Sequence, residues 1–381
     1  MKQIFKLIGG LLLGACIGFI GVTLIIALFT DLSLNTFFEK LQKIELLELI
    51  GVMLYSLIAF VLSFALQIIL HEGGHLVCGL LTGYRFVSFR IFNWVFIKEK
   101  GKLRIKHFSI AGTGGQCLLT PPDKPLKEIP VILYNLGGVA ANLLTATLAL
   151  VILLTTETLS YPLELFLIFM CIIGFFLGIL NGIPFKMKSI SNDATNLCLL
   201  LKDETSKQTL VYLLHMNALA QKGMRPKEMP KKYFLLPEKI DYKNSLQINH
   251  CMMVAGRMMD EKRWEECRLF LEDLMAHKDD ILALFAKETA CELLYLSLQT
   301  GNEERAKELY TDELSLYIQQ HAKGMSSKQR VLCALALYLE KVQIKAQKIY
   351  DDLVSNRDQQ LMQGEVKMDL DLMEYMLKNK S

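Results

Sequence analysis

Runs of uncharged, apolar residues about one bilayer thick constrain this chain more than any other feature. Residues 51–70 are twenty consecutive uncharged positions, and 7–30, 131–156 and 165–185 are further such runs. A helix rises 1.5 Å per residue, so about 20 residues cross a hydrocarbon core of about 30 Å. The runs all lie in the first half; residues 200–381 contain none and read as amphipathic helices divided by polar breaks. Charged residues are only 21% of the sequence, and they concentrate in that second half. The expected fold is mainly α: a polytopic membrane helix bundle of about four spans, near 7–30, 51–80, 131–154 and 163–185, then an all-α soluble domain. Residues 1–50 would hold the first span and an interfacial helix, 51–200 the membrane core, and 201–381 the cytoplasmic helical domain.

Lysine and arginine bias orients these spans. Lys2 and Lys6 precede the first run, the 31–50 loop has two lysines, the 84–130 segment has nine Lys/Arg, and the 155–164 loop has none. This alternation implies a multi-pass cell-membrane protein with both termini and the 84–130 segment in the cytoplasm. Leu13-Gly14-Ala15-Cys16 looks like a lipoprotein cleavage site. The apolar run continues to Phe29, however, and its 24 residues exceed a signal-peptide core of about 7–15. A retained span is expected.

Between the second and third spans the pattern changes. Phe86-Val87-Ser88-Phe89-Arg90-Ile91-Phe92 and Lys102-Leu103-Arg104-Ile105-Lys106 alternate around a turn at Lys100-Gly101, which predicts a β-hairpin. The glycine cluster Ala111-Gly112-Thr113-Gly114-Gly115-Gln116 lacks the lysine and βαβ setting of a phosphate loop, so a flexible loop is expected. A net charge of +3, with no basic stripe or zinc knuckle, excludes nucleic acid as a partner. Nine cysteines without a C-x-x-C suit reduced cytosolic thiols better than a disulfide scaffold.

A weak repeat marks the C-terminal half. Glu266–Phe270, Ala306–Tyr310 and Ala346–Tyr350 each end in an apolar pair, at a spacing of 40. Such a pair would stack helix hairpins as in tetratricopeptide-like solenoids, whose concave surface binds a protein partner. Ordinary helical packing is the alternative.

The chemistry points to His71-Glu72-Gly73-Gly74-His75, at the end of the 51–70 run. On a helix, i and i+4 project about 40° apart, so both imidazoles share a face and can grip one metal ion. Glu72 sits beside them as a general base. Ionisable groups at membrane depth are costly and normally serve a purpose. A catalytic zinc needs a third protein ligand and an open position. Asp193, just after the fourth span, is the candidate, with Asp203 the poorer alternative. Capping of the helix over 194–202 is another reading of Asp193. The remaining histidines, His107, His215, His250, His277 and His321, have no partner at ligand spacing.

These residues resemble the site-2 protease family of intramembrane zinc metalloproteases over roughly 51–200. His71, Glu72 and His75 match its first motif. Asn181-Gly182-Ile183-Pro184 with Asp193 looks like its Asn-x-x-Pro…Asp element, and Gly138-Val139-Ala140-Ala141-Asn142 like its G-P-x-x-N element. Three departures stand out: Ala194 follows Asp193 where the family has Gly, Asp193 lies nine residues past Pro184, and Val139 replaces the Pro. The resemblance implies zinc (Zn2+) on His71, His75 and Asp193, Glu72 as base, and Asn181 or Asn142 bonded to the substrate backbone. It also implies a membrane-associated β-segment near the substrate, and the edge near 102–110 could receive an unwound strand. Substrates would be membrane-embedded or membrane-proximal: single-span regulators or small peptide precursors, cut near the cytoplasmic face. A non-proteolytic membrane scaffold, with the helical repeat as its working part, is the rival reading.

Overall fold

The computed structural model describes residues 46–99, 102–107, 113–184 and 192–379. The expected span at 7–30 and most of the expected interfacial helix lie outside these residues. Contacts divide the chain after Leu62. The described part of the first unit is the opening of one long helix.

That helix, α1 (Leu46–Leu81), has 36 residues and is about 54 Å long. Its membrane-compatible stretch is Ile50–Leu81. His71 falls in the second half of that stretch. The helix stops at Gly83, whose φ of +89° a side chain would resist. Tyr84 N–H there bonds back to Gly79 O at 3.0 Å and Gly83 N–H to Leu80 O at 3.1 Å. Two further helices are long and apolar enough to cross a membrane: α2 (Val131–Thr155) and α3 (Tyr161–Gly182). The described residues thus contain three candidate spans.

Small residues let these helices meet. A Cβ on Gly74 of α1 would lie 2.6 Å from the Gly137 carbonyl carbon of α2, so the two backbones nearly touch. On α3, Gly174 and Gly178 take the side chains of Gln67 and Leu143.

The 84–120 region forms a four-stranded antiparallel sheet, a larger element than the expected hairpin. Strands β1 (Arg85–Ile91), β2 (Trp94–Glu99), β3 (Lys102–His107) and β4 (Gly115–Thr120) lie in the order β3-β2-β1-β4. Ile91 pairs with Trp94, so Phe92-Asn93 makes a two-residue turn, with Phe92 at φ +52°. The glycine cluster expected as a loop instead runs into β4, which pairs with β1 from Arg85↔Thr120 to Ile91↔Gly115. On β2 and β3, Trp94, Leu103 and Ile105 are exposed. On the opposite face, Val95 and Ile97 pack with Leu361, and Lys106 Nζ donates to Gln360 O at 3.1 Å. The sheet is therefore docked on the helical C-terminal part.

That part comprises α4 (Asp193–Lys202), α5 (Glu204–Gln221), α6 (Ser245–Asp260), α7 (Trp264–Ala276), α8 (Ala283–Gln299), α9 (Glu303–Leu309), α10 (Asp312–His321), α11 (Ser326–Ala334), α12 (Gln343–Asn356) and α13 (Gln363–Asn379). Helix α5 joins it to the sheet, packing Val211, Leu214 and Ala218 with Leu118 and Leu119. The turns after α5, α6 and α8 and the turn before α12 each hold one left-handed residue: Gly223, Lys262, Gly301 and Lys341. They are spaced by 39, 39 and 40 residues. The buried small residues Ala306 and Ala346 open α9 and α12 with the same burial sequence over five positions. In the 266–270 copy that sequence is displaced: Cys267, not Glu266, is buried, and Leu269 is exposed. The structural period is 39–40, with the first sequence copy one residue out of register.

Candidate metal centre

Helix α1 carries His71 and His75 one turn apart on the face towards α2 and α4. His71 Nε2 and His75 Nε2 are 3.2 Å apart, and Asp193 Oδ2 lies 3.1 and 3.4 Å from them. Among the described residues, these three form a group able to hold a metal ion. Their side chains are only 12%, 11% and 23% exposed.

Each imidazole is fixed from behind. His75 Nδ1 lies 2.7 Å from Tyr134 O, which can only accept, so Nδ1 carries the proton and Nε2 presents a lone pair. His71 Nδ1 lies 2.6 Å from Asn142 Oδ1, with the same consequence. Asp193 Oδ2 is buried and faces the two Nε2 atoms. With both Nδ1 protons committed behind, the two Nε2 atoms and the Asp193 carboxylate converge, an arrangement that a metal ion, or a proton held on one Nε2, satisfies. Burial alone would raise the Asp193 carboxyl. The two facing imidazoles override this and hold it well below the usual carboxylate range.

Asp193 is free for this task because other residues cap the helices. Asn192 is the N-cap of α4 and accepts from Thr195 N at 2.9 Å. Asp203, the alternative ligand, caps α5 and accepts from Ser206 N at 2.6 Å.

The centre opens into a cavity of about 590 Å³. Glu72 and Asn181 line it, with Phe64, Ile68 and Leu177 as apolar walls. Glu72 is 8% exposed, and a Cβ on Gly115 would come within 2.6 Å of its Oε1. Only glycine fits between β4 and that carboxylate. Gly138 has the same role at the two imidazoles: its Cβ would stand 2.5 Å from His75 Nε2 and 2.6 Å from His71 Nε2.

The two asparagines expected at the substrate are placed differently. Asn181 borders the cavity, its Nδ2 donating to Leu177 O at 3.0 Å. Asn142 is fully buried behind His71, and its Nδ2 donates to Gln67 O and Gln67 Oε1 at 2.9 and 2.7 Å. The β-edge also differs. Among the described residues, β4 lines the cavity and β3 does not.

Arg90 was not singled out from the sequence. It is 2% exposed, lines the cavity, and donates to Phe92 O at 2.7 Å, Gly115 O at 2.8 Å and Thr113 Oγ1 at 2.5 Å. It thereby pins the start of β4 opposite Glu72. A cation amid the alternating apolar residues of β1 was the available signal. Gln67, a polar residue inside an uncharged run, was the other.

Comparison of the chain with protein-family models, with curated proteins and with solved structures gives no match.

Proposed function

We propose that this chain is a membrane-embedded zinc metalloprotease that hydrolyses peptide bonds of membrane-embedded or membrane-proximal substrates near the cytoplasmic face. One observation carries the reading: three convergent ligand atoms with a carboxylate beside them at the end of a membrane-length helix. Ligand atoms about a tetrahedral zinc, at bonds of about 2.0–2.1 Å, stand about 3.3–3.4 Å apart. Those of His71, His75 and Asp193 stand 3.1–3.4 Å apart. Zinc held there would supply the Lewis acidity that activates a water and polarises a peptide carbonyl.

The protein's own groups supply the rest. Tyr134 O and Asn142 keep both Nε2 lone pairs turned inward. Glu72 accepts the proton of the attacking water on its carboxylate and delivers it to the leaving amine. The apolar cavity walls take the side chains of an apolar segment. A helical substrate must unwind there, since its carbonyls are otherwise hydrogen-bonded, and β4, the end strand of the sheet and part of the cavity wall, is placed to pair with the unwound strand. Contact between the sheet and the C-terminal helices fits the placing of both on one side, the cytoplasmic one by charge bias. The 39–40-residue helical repeat suits recruitment of a protein partner or substrate.

Intact Glu72, facing the cavity, favours this reading over a scaffold, which needs no base. Two measurements test it. Purified wild type should contain about one zinc per chain and Asp193→Ala far less; equal contents would remove Asp193 from the site. Membrane peptides from cells carrying Glu72→Gln should include an uncut substrate that wild type removes; identical peptide profiles would leave the scaffold reading.

A further inference from the structure

We infer that Gln67 is a positioning residue for the metal centre, setting the hydrogen-bond polarity that turns the His71 lone pair inward. This rests on the metal-site reading above and goes beyond it to a residue remote from the ligands. The chain of bonds begins at a backbone carbonyl on α3. Gln67 Nε2 donates to Met170 O at 2.9 Å. That oxygen can only accept, so the amide nitrogen of Gln67 must face it and Oε1 must face away. Oε1 can also only accept, and it meets Asn142 Nδ2 at 2.7 Å. Asn142 Nδ2 donates its second proton to Gln67 O at 2.9 Å. With both protons committed, Asn142 can present only Oδ1 to His71 Nδ1, at 2.6 Å. The proton of His71 is thereby held on Nδ1, and Nε2 is the atom left for a metal.

Packing enforces the arrangement. Gln67 and Asn142 are both 0% exposed. A Cβ on Gly174 would lie 2.6 Å from Gln67 Nε2, so α3 leaves room for that amide only by having glycine there. Reversing the Gln67 amide would set Oε1 against Met170 O, acceptor against acceptor in a buried site. Three helices are thus joined by one directed chain that ends at a ligand.

Cobalt(II) binding to the full-length protein in detergent, followed by its visible absorption, tests the inference. Gln67→Met keeps the side-chain volume and should weaken binding about 10-fold, the lower end for residues that orient ligands. Asn142→Asp should also weaken it, because the new carboxylate faces Gln67 O and Oε1, acceptor against acceptor. The decisive protein is Gln67→Met/Asn142→Asp. A carboxylate accepts from His71 whichever way it is turned, and the opposing Oε1 is gone. This double variant should therefore bind cobalt more tightly than Asn142→Asp alone, a reversal of sign that lost packing does not produce. If Gln67→Met binds like wild type, or weakens binding in both backgrounds, the inference is overturned. If Gln67→Met is not monodisperse, the double variant against Asn142→Asp makes the same comparison. A wild type that gives no cobalt spectrum would instead bring down the metal centre itself.

Discussion

The membrane half and the helical half both bury polar groups, but they resolve them in opposite ways. Around α1 the buried groups are mostly neutral amides and imidazoles. Their bonds run in one direction, from Met170 O through Gln67 and Asn142 to His71. The chain ends at His71 Nε2, 3.1 Å from Asp193 Oδ2. In the helical half a group of buried charges is paired instead. Lys328 Nζ meets Glu288 at 2.6 Å, and Arg330 meets Glu292 at 2.6 Å and Asp369 at 2.7 Å. The remaining face of the Arg330 guanidinium lies 4.0 Å over the Tyr295 ring. The charge network is closed by its own ion pairs, although Arg330 Nη1 finds no hydrogen-bond partner there; the network around α1 is left open at three facing ligand-type atoms. Neither burial nor one unpartnered atom marks a site; convergence of such atoms beside a cavity does.

The largest expected effect falls on the open network. Glu72→Gln should lower cleavage of a membrane peptide in proteoliposomes by about 10²–10⁴-fold with zinc content unchanged; loss of zinc in that variant would make Glu72 part of the metal grip. Next comes the closed network. Arg330→Met leaves Glu292 and Asp369 buried without their partner and should destabilise the helical half by about 3–5 kcal/mol, read from chemical denaturation, while zinc binding persists. Zinc loss there would show that the two networks are not separate. Gly138→Ala puts a methyl between the ligand nitrogens and should cost about 1–3 kcal/mol of metal affinity, measured by competition with a chelator. Arg90→Lys keeps a charge but loses the fork that holds Gly115 O, and should cost about 1 kcal/mol in kcat/KM at constant zinc content.

The smallest effect concerns pH. Burial lowers the pKa of His250, and burial with the nearby Lys232 and Arg85 lowers that of His215. A histidine whose folded pKa lies below its unfolded value adds stability above the unfolded value and loses it as pH falls through the folded one. Thermal melting of the helical half should therefore drop on acidification below about pH 6.5, and less so in His250→Gln. An equal drop in both proteins would remove His250 from the account.

The facing His71 and His75 were legible because helix geometry turns H-E-x-x-H into a shared face. Asp193 stood out as an acidic group just past a span. That Asn192 would take the capping role, and so release Asp193, was not legible, since both residues suit an N-cap. Strand β4 escaped notice because its pairing partner, β1, lies about 30 residues away and its opening glycines resemble a loop. Their function is spatial, and Glu72 against Gly115 is visible only in three dimensions. The same holds for Asn142, whose place behind His71 depends on how closely Gly74 and Gly137 let two helices approach. In the helical half the 40-residue spacing was readable, but the one-residue offset at Cys267 was hidden, because an apolar pair slides along a helix more easily than a buried small residue does.

The four left-handed turns at Gly223, Lys262, Gly301 and Lys341 also bear on how this protein can change length. Yet α13 returns to the first of them: Lys367 Nζ donates to Gly223 O at 2.7 Å, and Asp371 pairs with Arg225 at 2.9 Å. The sheet, too, is held from both ends of the helical half, by α5 at Leu118 and Leu119 and by Gln360 and Leu361. A unit of 39 or 40 residues added or removed between α6 and α12 would have to break that closure, so the helical half is as fixed in length as the membrane half.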